Sequence, residues 1–230
     1  MKTRDIIRKR RKNMIKFNDI RNNKQIKTYI EEADKTLIAL GYTEHSFPHV
    51  LRVSKDAAKI LEFLGYNEHD IELAKISGYM HDIGNLVNRV NHSQSGAIMA
   101  FRILDKLGMD ALDIALITSA IGNHDEGTGV PVNAIAAALI IADKSDVRRS
   151  RVRNKIKETF DIHDRVNYSV TDSHLELSKE EITLHLELDT SISPVFEYFQ
   201  IFLNRMIMCK NAAIALGIKF RLNINGQILM

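Results

Sequence analysis

The chain has 230 residues, with 45% hydrophobic and 27% charged residues and only three prolines, which is the make-up of a packed globular protein rather than a disordered or fibrous one. A formal net charge of +3 from 32 basic and 29 acidic residues does not point to nucleic acid as a partner. The single cysteine, Cys209, excludes an intrachain disulfide framework and a Cys-rich zinc knuckle, so metal binding would rest on histidines and carboxylates.

The N-terminal stretch MKTRDIIRKRRKNMIK is strongly basic and reads as a solvated helix or a frayed arm. No apolar core of a secretory signal follows it, and no apolar run approaches the roughly 20 residues of a membrane span. These features place the chain in the cytoplasm, without a membrane partner.

From residue 48 the apolar positions recur three and four apart. PHVLRVSKDAAKILEFLG starts at Pro48, suited to a first helical turn, and stops at Gly65. EHDIELAKISGYMHD follows a short turn. SQSGAIMAFRILDKLG has a serine start and a glycine stop at Gly108, and DALDIALITSAIGNH opens on an aspartate. NAIAAALIIADKSDVRRSR is apolar nearly all round as far as Ile141, the mark of the central helix. The basic run KSDVRRSRVRNKIK continues from it, and helical spacing sets Lys144 and Arg148 on one face at i, i+4.

Near residue 165 the period changes from helical to two. VNYSV, HLELS and EITLHLELD read as strands, PVFEYFQIFLNRMIMCKNAAIALG as one long helix, and IKFRLNI as a closing strand. The expected organisation is a basic helical segment over residues 1–44, a helical metal-binding domain over 45–160 and a small α+β module, ββαβ, over 165–230. That module has two sheet edges to protect, and a homo-oligomer paired through them is one way to do so.

Seven metal-friendly residues fall at the ends of the predicted helices: His49, His81, Asp82, His92, His124, Asp125 and Asp143. They lie in FPHVLRV, MHDIGN, VNHSQSGA, GNHDEG and IADKSD. Imidazoles mixed with carboxylates suit Mn, Fe, Co, Ni or Zn and, with fewer histidines, Mg. A carboxylate such as Asp82 can bridge two ions, and two ions a few ångströms apart can clamp a phosphoryl group. His45, His69, His174 and His185 have no ligand-like company and read as structural, and His163-Asp164 reads as a turn or cap.

The order His49, His81-Asp82, His92, His124, Asp143 resembles the H...HD...H...H...D pattern of the HD-domain superfamily of metal-dependent phosphohydrolases over residues 45–150. Among its members, NHDEGTGVP at 123–131 is similar to the HHE...GxGYP region of the HD-GYP-related two-metal proteins. Asp125 stands where that pattern has a second histidine, Asn85 where HDIGK has its lysine, and GTGVP lacks the tyrosine. The lost lysine charge weighs against cyclic di-GMP as the substrate.

The resemblance implies a mainly α fold, an HD helical bundle followed by the α+β module, and two divalent ions as cofactors. His49, His81, Asp82 and Asp143 would hold one ion, and Asp82, His92, His124 and Asp125 the other. It implies a hydrolase acting through a metal-bound hydroxide on a nucleotide or other small phosphate ester, with Asp82 as the bridge. Lys144 and Arg148 are the favoured phosphate-binding residues, ahead of Arg89 and Arg149. The alternative is a catalytically weak regulatory HD protein that binds metal or nucleotide.

Overall fold

A computed structural model describes residues 15–230, so the basic run at 1–14 and its reading as a helix or arm lie outside the described residues. Nine α-helices and a four-stranded sheet make up the described chain. None of these helices is long and apolar enough to cross a membrane.

The helices are α1 (Phe17–Asn22), α2 (Lys24–Ala39), α3 (Phe47–Phe63), α4 (Glu68–Met80), α5 (His92–Leu107), α6 (Ala111–Gly122) and α7 (Ala134–Lys144). Their starts follow the caps: Asn23, Asn67, Asp110 and Asn133 each accept a hydrogen bond from a backbone N–H of the first turn. Through α7, every side chain from Ile135 to Ala142 is buried. This helix packs against α3, α4 and α6 and is the centre of the molecule, as its all-round apolar sequence requires. Each fully buried Leu or Ile here stabilises the fold by about 1.5–3 kcal/mol. Ile20, Ile26, Ile30 and Leu37 of α1 and α2 bury into the same core.

Helix α7 stops at Lys144, so Lys144 and Arg148 do not share a helix face. The chain turns there because the Asp146 carboxylate, 1% exposed, is drawn among His49, Arg148 and Arg151.

The later elements are α8 (Ile162–Ser169), β1 (Val170–Leu177), β2 (Glu181–Leu188), α9 (Val195–Ala215), β3 (Lys219–Ile224) and the two-residue β4 (Gln227–Ile228). Most of VNYSV is therefore helix, not strand. Asp161 accepts a hydrogen bond from Asp164 N and caps α8, which puts His163 and Asp164 in the first turn, and a five-residue alternation is too short to outweigh a cap.

The sheet order is β1-β2-β3-β4, with β1 and β2 antiparallel, β2 and β3 parallel through the α9 crossover, and β3 and β4 antiparallel. The expected ββαβ order is present, with β4 added. Helix α9 packs on both α7 and β3, and the buried side chains of helices and sheet form one continuous cluster.

Candidate metal centre

The ends of four helices deliver the histidines. His49 sits in the first turn of α3, His81 caps the C-terminus of α4, His92 opens α5, and His124 follows α6. Two glycines allow the elements to close on one point. A Cβ on Gly78 would lie 2.6 Å from the Ser54 Cα, so α4 crosses α3 backbone to backbone. A Cβ on Gly84 would lie 1.9 Å from the His92 carbonyl oxygen, so the HDIG turn rests directly on the start of α5.

Three histidines fix their rings in the same local way. Nδ1 of His81, His92 and His124 donates to the carbonyl three residues earlier, Gly78, Arg89 and Ile121, at 2.8, 3.0 and 2.6 Å. His49 Nδ1 donates instead to Asp146 Oδ2 at 2.7 Å. Each Nε2 then points inward, the tautomer a metal ligand needs.

Asp82 lies between them, 5% exposed. Its Oδ2 is 3.3 Å from His81 Nε2 and 3.6 Å from His49 Nε2, while its Oδ1 is 3.4 Å from His92 Nε2 and 3.9 Å from His124 Nε2. One carboxylate thus offers one oxygen to each histidine pair. Asp143 Oδ1 completes the first side, 3.3 Å from His49 Nε2 and 3.5 Å from His81 Nε2. Three groups draw ligand atoms within 4.8 Å of one another: His49, His81, Asp82; His81, His124, Asp143; and Asp82, His92, His124. Asp125 stands at the rim, 3.9 Å from His92 Nε2, and joins none of these groups.

The donor set itself asks for cations. His92 and His124 face each other Nε2 to Nε2 at 3.2 Å with both Nδ1 protons already committed. Burial, aided by the neighbouring His81, pushes His124 down to about 3, so no proton sits between the two lone pairs. The Arg89 guanidinium lies 3.4 Å from His92 Nε2. On the other side burial opposes charge on His81, but Asp82 and Asp143 outweigh it and raise His81 to about 10. Asp82 and Asp143 are held well below the usual carboxylate range, against burial, by His81 for the first and by Lys144 and His49 for the second.

A proton on His81 therefore occupies the place a cation would take. Without metal, His81 stabilises the fold below its unfolded value near 6.5, and that contribution fades as pH rises through 10. Metal must displace this proton, so affinity should rise with pH, and binding at pH 7 should release about one proton per chain. Calorimetric titration in two buffers of different ionisation enthalpy reads this directly. Equal heats in both would refute it.

Sequence reasoning missed several residues around these ligands. Asp146 anchors His49 from 97 positions away, with Arg148 Nε on its Oδ1 at 2.9 Å and Arg151 Nη1 within 3.6 Å of its Oδ2. Arg148 also pairs with Glu44 at 2.9 Å, so its guanidinium is engaged behind His49. Asn85, read as a lost charge, donates to Asp82 Oδ1 at 2.9 Å and accepts from Arg89 at 3.3 Å, which brings a guanidinium within 4.0 Å of the same carboxylate. Lys144 is buried against Asp143 at 2.8 Å.

A cavity of about 670 Å³ opens beside the cluster, and His45, Arg89, His92, Arg151 and Arg205 line both. His45 thus faces the site, with Nδ1 on the Thr43 carbonyl at 2.7 Å, and the FPHVLRV signal four residues later was the nearest hint. His69, His174 and His185 pair instead with Asp113, Asp172 and Glu176, each within 2.7 Å.

The HD domain family model matches residues 47–186. An uncharacterized protein of Methanocaldococcus jannaschii is 28% identical over 171 residues, 64% of this chain, and the match spans 65% of that relative's length. The crystal structure of a predicted HD superfamily hydrolase from an uncultured Thermotogales bacterium is similar over 54% of this chain and 67% of its own, at 26% identity and a TM-score of 0.43. Because the family match runs from the helix that carries His49 through the second strand, over more than half of the residues, this chain belongs to the HD domain family.

Proposed function

We propose that the protein is a metal-dependent phosphohydrolase acting on a nucleotide or another small phosphate ester, with two divalent cations bridged by Asp82. The observation that carries this reading is the division of Asp82, one oxygen to each histidine pair, in a cluster that shares His45, His92 and three arginines with the neighbouring cavity. Cations held there would supply Lewis acidity toward a phosphoryl oxygen and lower the pKa of a bound water.

The chain's own residues bind and orient the ester. Arg89 lies over the Tyr42 ring at 5.5 Å and Arg205 over the Phe202 ring at 4.3 Å, which leaves N–H groups at the cavity for phosphate. Arg205 is steadied by Glu126, 2.5 Å from its Nε. These two guanidinia fit the binding role better than Arg148, which does not line the cavity and is engaged by Glu44 and Asp146. Lys144 neutralises Asp143 and so orients a ligand. A volume of about 670 Å³ suits a nucleotide-sized molecule. Kinship to the HD-GYP branch rests on NHDEGTGVP alone, and the proposal does not extend to a cyclic dinucleotide substrate.

The test is anaerobic reconstitution of the purified chain with Mn²⁺ or Fe²⁺, followed by a screen of phosphomonoesters, nucleotides and cyclic dinucleotides. Turnover abolished by a chelator is expected. Arg89→Ala and Arg205→Ala should each raise KM roughly 10- to 100-fold, the worth of one charged hydrogen bond, with metal content unchanged. A fully loaded protein that turns over no phosphate ester would move the assignment to the regulatory alternative.

A further inference from the structure

Helix α9 has two faces of different character. The inner one buries Tyr198, Phe202, Met206, Cys209, Ala212 and Ala213. The outer one exposes Phe196 by 76%, Leu203 by 46%, Ile207 by 43% and Ile214 by 62%. Steps of about seven, four and seven residues keep these four side chains on one line, about 27 Å long at the helical rise. The exposed positions of α9 carry one charged residue, Lys210, and no carboxylate. A helix face meant for water is dominated by charged and polar side chains.

The stripe is also palindromic about Arg205, whose own side chain lines the cavity on the opposite face. An antiparallel two-fold at that level sets Phe196 against Ile214 of a second copy, Leu203 against its Ile207, and Gln200 against its Lys210. Every apolar position then meets an apolar one, and no like charges face each other. A parallel pairing would set Lys210 against Lys210. An isologous interface requires this self-complementarity.

The sheet edges offer less. Strand β4 has two residues, and the Arg52 guanidinium donates to the Ser173 carbonyl of β1.

We propose that the protein forms a two-fold symmetric homodimer through the outer face of α9, with Leu203 and Ile207 of the two copies at its centre. The proposal is independent of the reaction assigned above. A single helix stripe makes a small interface, so the dimer should depend on concentration.

Sedimentation velocity of the full chain from about 1 to about 100 µM should show monomer passing into dimer. Leu203→Glu and, at a more exposed position, Phe196→Glu should stay monomeric with unaltered circular dichroism and metal uptake. The register is tested by the double variant Leu203→Cys, Ile207→Cys, which should cross-link quantitatively between copies under mild oxidation. Burial pushes the Cys209 thiol up to about 12, so the native cysteine does not compete. Wild-type protein monomeric at about 100 µM, a dimer that survives both glutamate variants, or a dimer that the paired cysteines fail to cross-link would each overturn the proposal.

Discussion

Asp82→Ala should empty both cation positions, whereas His92→Ala should empty mainly one. The two carboxylate oxygens of Asp82 face different histidine pairs, Oδ2 toward His49 and His81 and Oδ1 toward His92 and His124. Removing it takes the shared carboxylate from both pairs, which leaves Asp143 close beside His49 and His81 and only the rim residue Asp125, 3.9 Å from His92 Nε2, on the other side. His92 belongs to one pair, so its loss leaves His49, His81, Asp82 and Asp143 in place. If the protein is a hydrolase, Asp82→Ala should also lower turnover by roughly 10³-fold or more, since a bound cation contributes several kcal/mol to charge stabilisation. Elemental analysis of the two variants beside wild type decides the structural part. Equal metal content in Asp82→Ala and wild type would sink the bridging role.

The largest stability effect is expected at a residue that touches no cation. Asp146 is 1% exposed and receives His49 Nδ1 on one oxygen and Arg148 on the other, with Arg52 Nε 3.4 Å from the latter. Burial opposes its charge, but the His49 hydrogen bond and the Arg151 and Arg148 guanidinia hold it well below the usual carboxylate range. Asp146→Ala leaves Arg151, itself 4% exposed, without its anion. Breaking such a buried cluster costs about 3–5 kcal/mol. For a chain of this size that is a fall in Tm of about 6–20 °C.

The same change frees His49 Nδ1 and with it the tautomer, so metal affinity should fall roughly 10- to 100-fold. Asp146→Asn keeps the shape and should lose metal affinity with less unfolding. The sign with pH follows from a depressed folded pKa: the stability from Asp146 is complete above the unfolded value near 4 and is lost as pH falls. Asp146→Asn should therefore be less acid-sensitive than wild type. Thermal melts from pH 7 to pH 3 measure both, and an unchanged Tm for Asp146→Ala at pH 7 would contradict the account.

The clustering of these histidines was legible because three of them are set by local chemistry. His81, His92 and His124 each lock Nδ1 on a carbonyl three residues back, so a His-Asp or Asn-His at a helix end already contains the ring's orientation. The central helix was legible for a similar reason, its unbroken apolar run. The supports of the site were not, because they act across the chain. Asp146 meets His49 over 97 positions, Arg148 meets Glu44 over 104, and Arg205 meets Glu126 over 79. Local spacing suggested that Lys144 and Arg148 share a helix face, but the helix ends at Lys144 and Asp146, beyond its end, pairs with His49 far away in the chain. The strand reading of VNYSV failed where the cap at Asp161, five residues upstream of Val166, set the conformation.

The cavity draws its walls from separate stretches of chain. Among the described residues, the clustered histidines and aspartates that could hold cations all lie between His49 and Asp143, whereas Tyr42, His163, Asn167 and Phe202, which also line the cavity, come from before and after them. In the hydrolase proposed above, reactivity and choice are written in different parts of the sequence. Under that reading, a descendant that rewrites Tyr42, His163 and Phe202 would alter which molecule fits while the histidine and aspartate cluster stays untouched, so kinship in the histidines and aspartates carries no guarantee of kinship in diet.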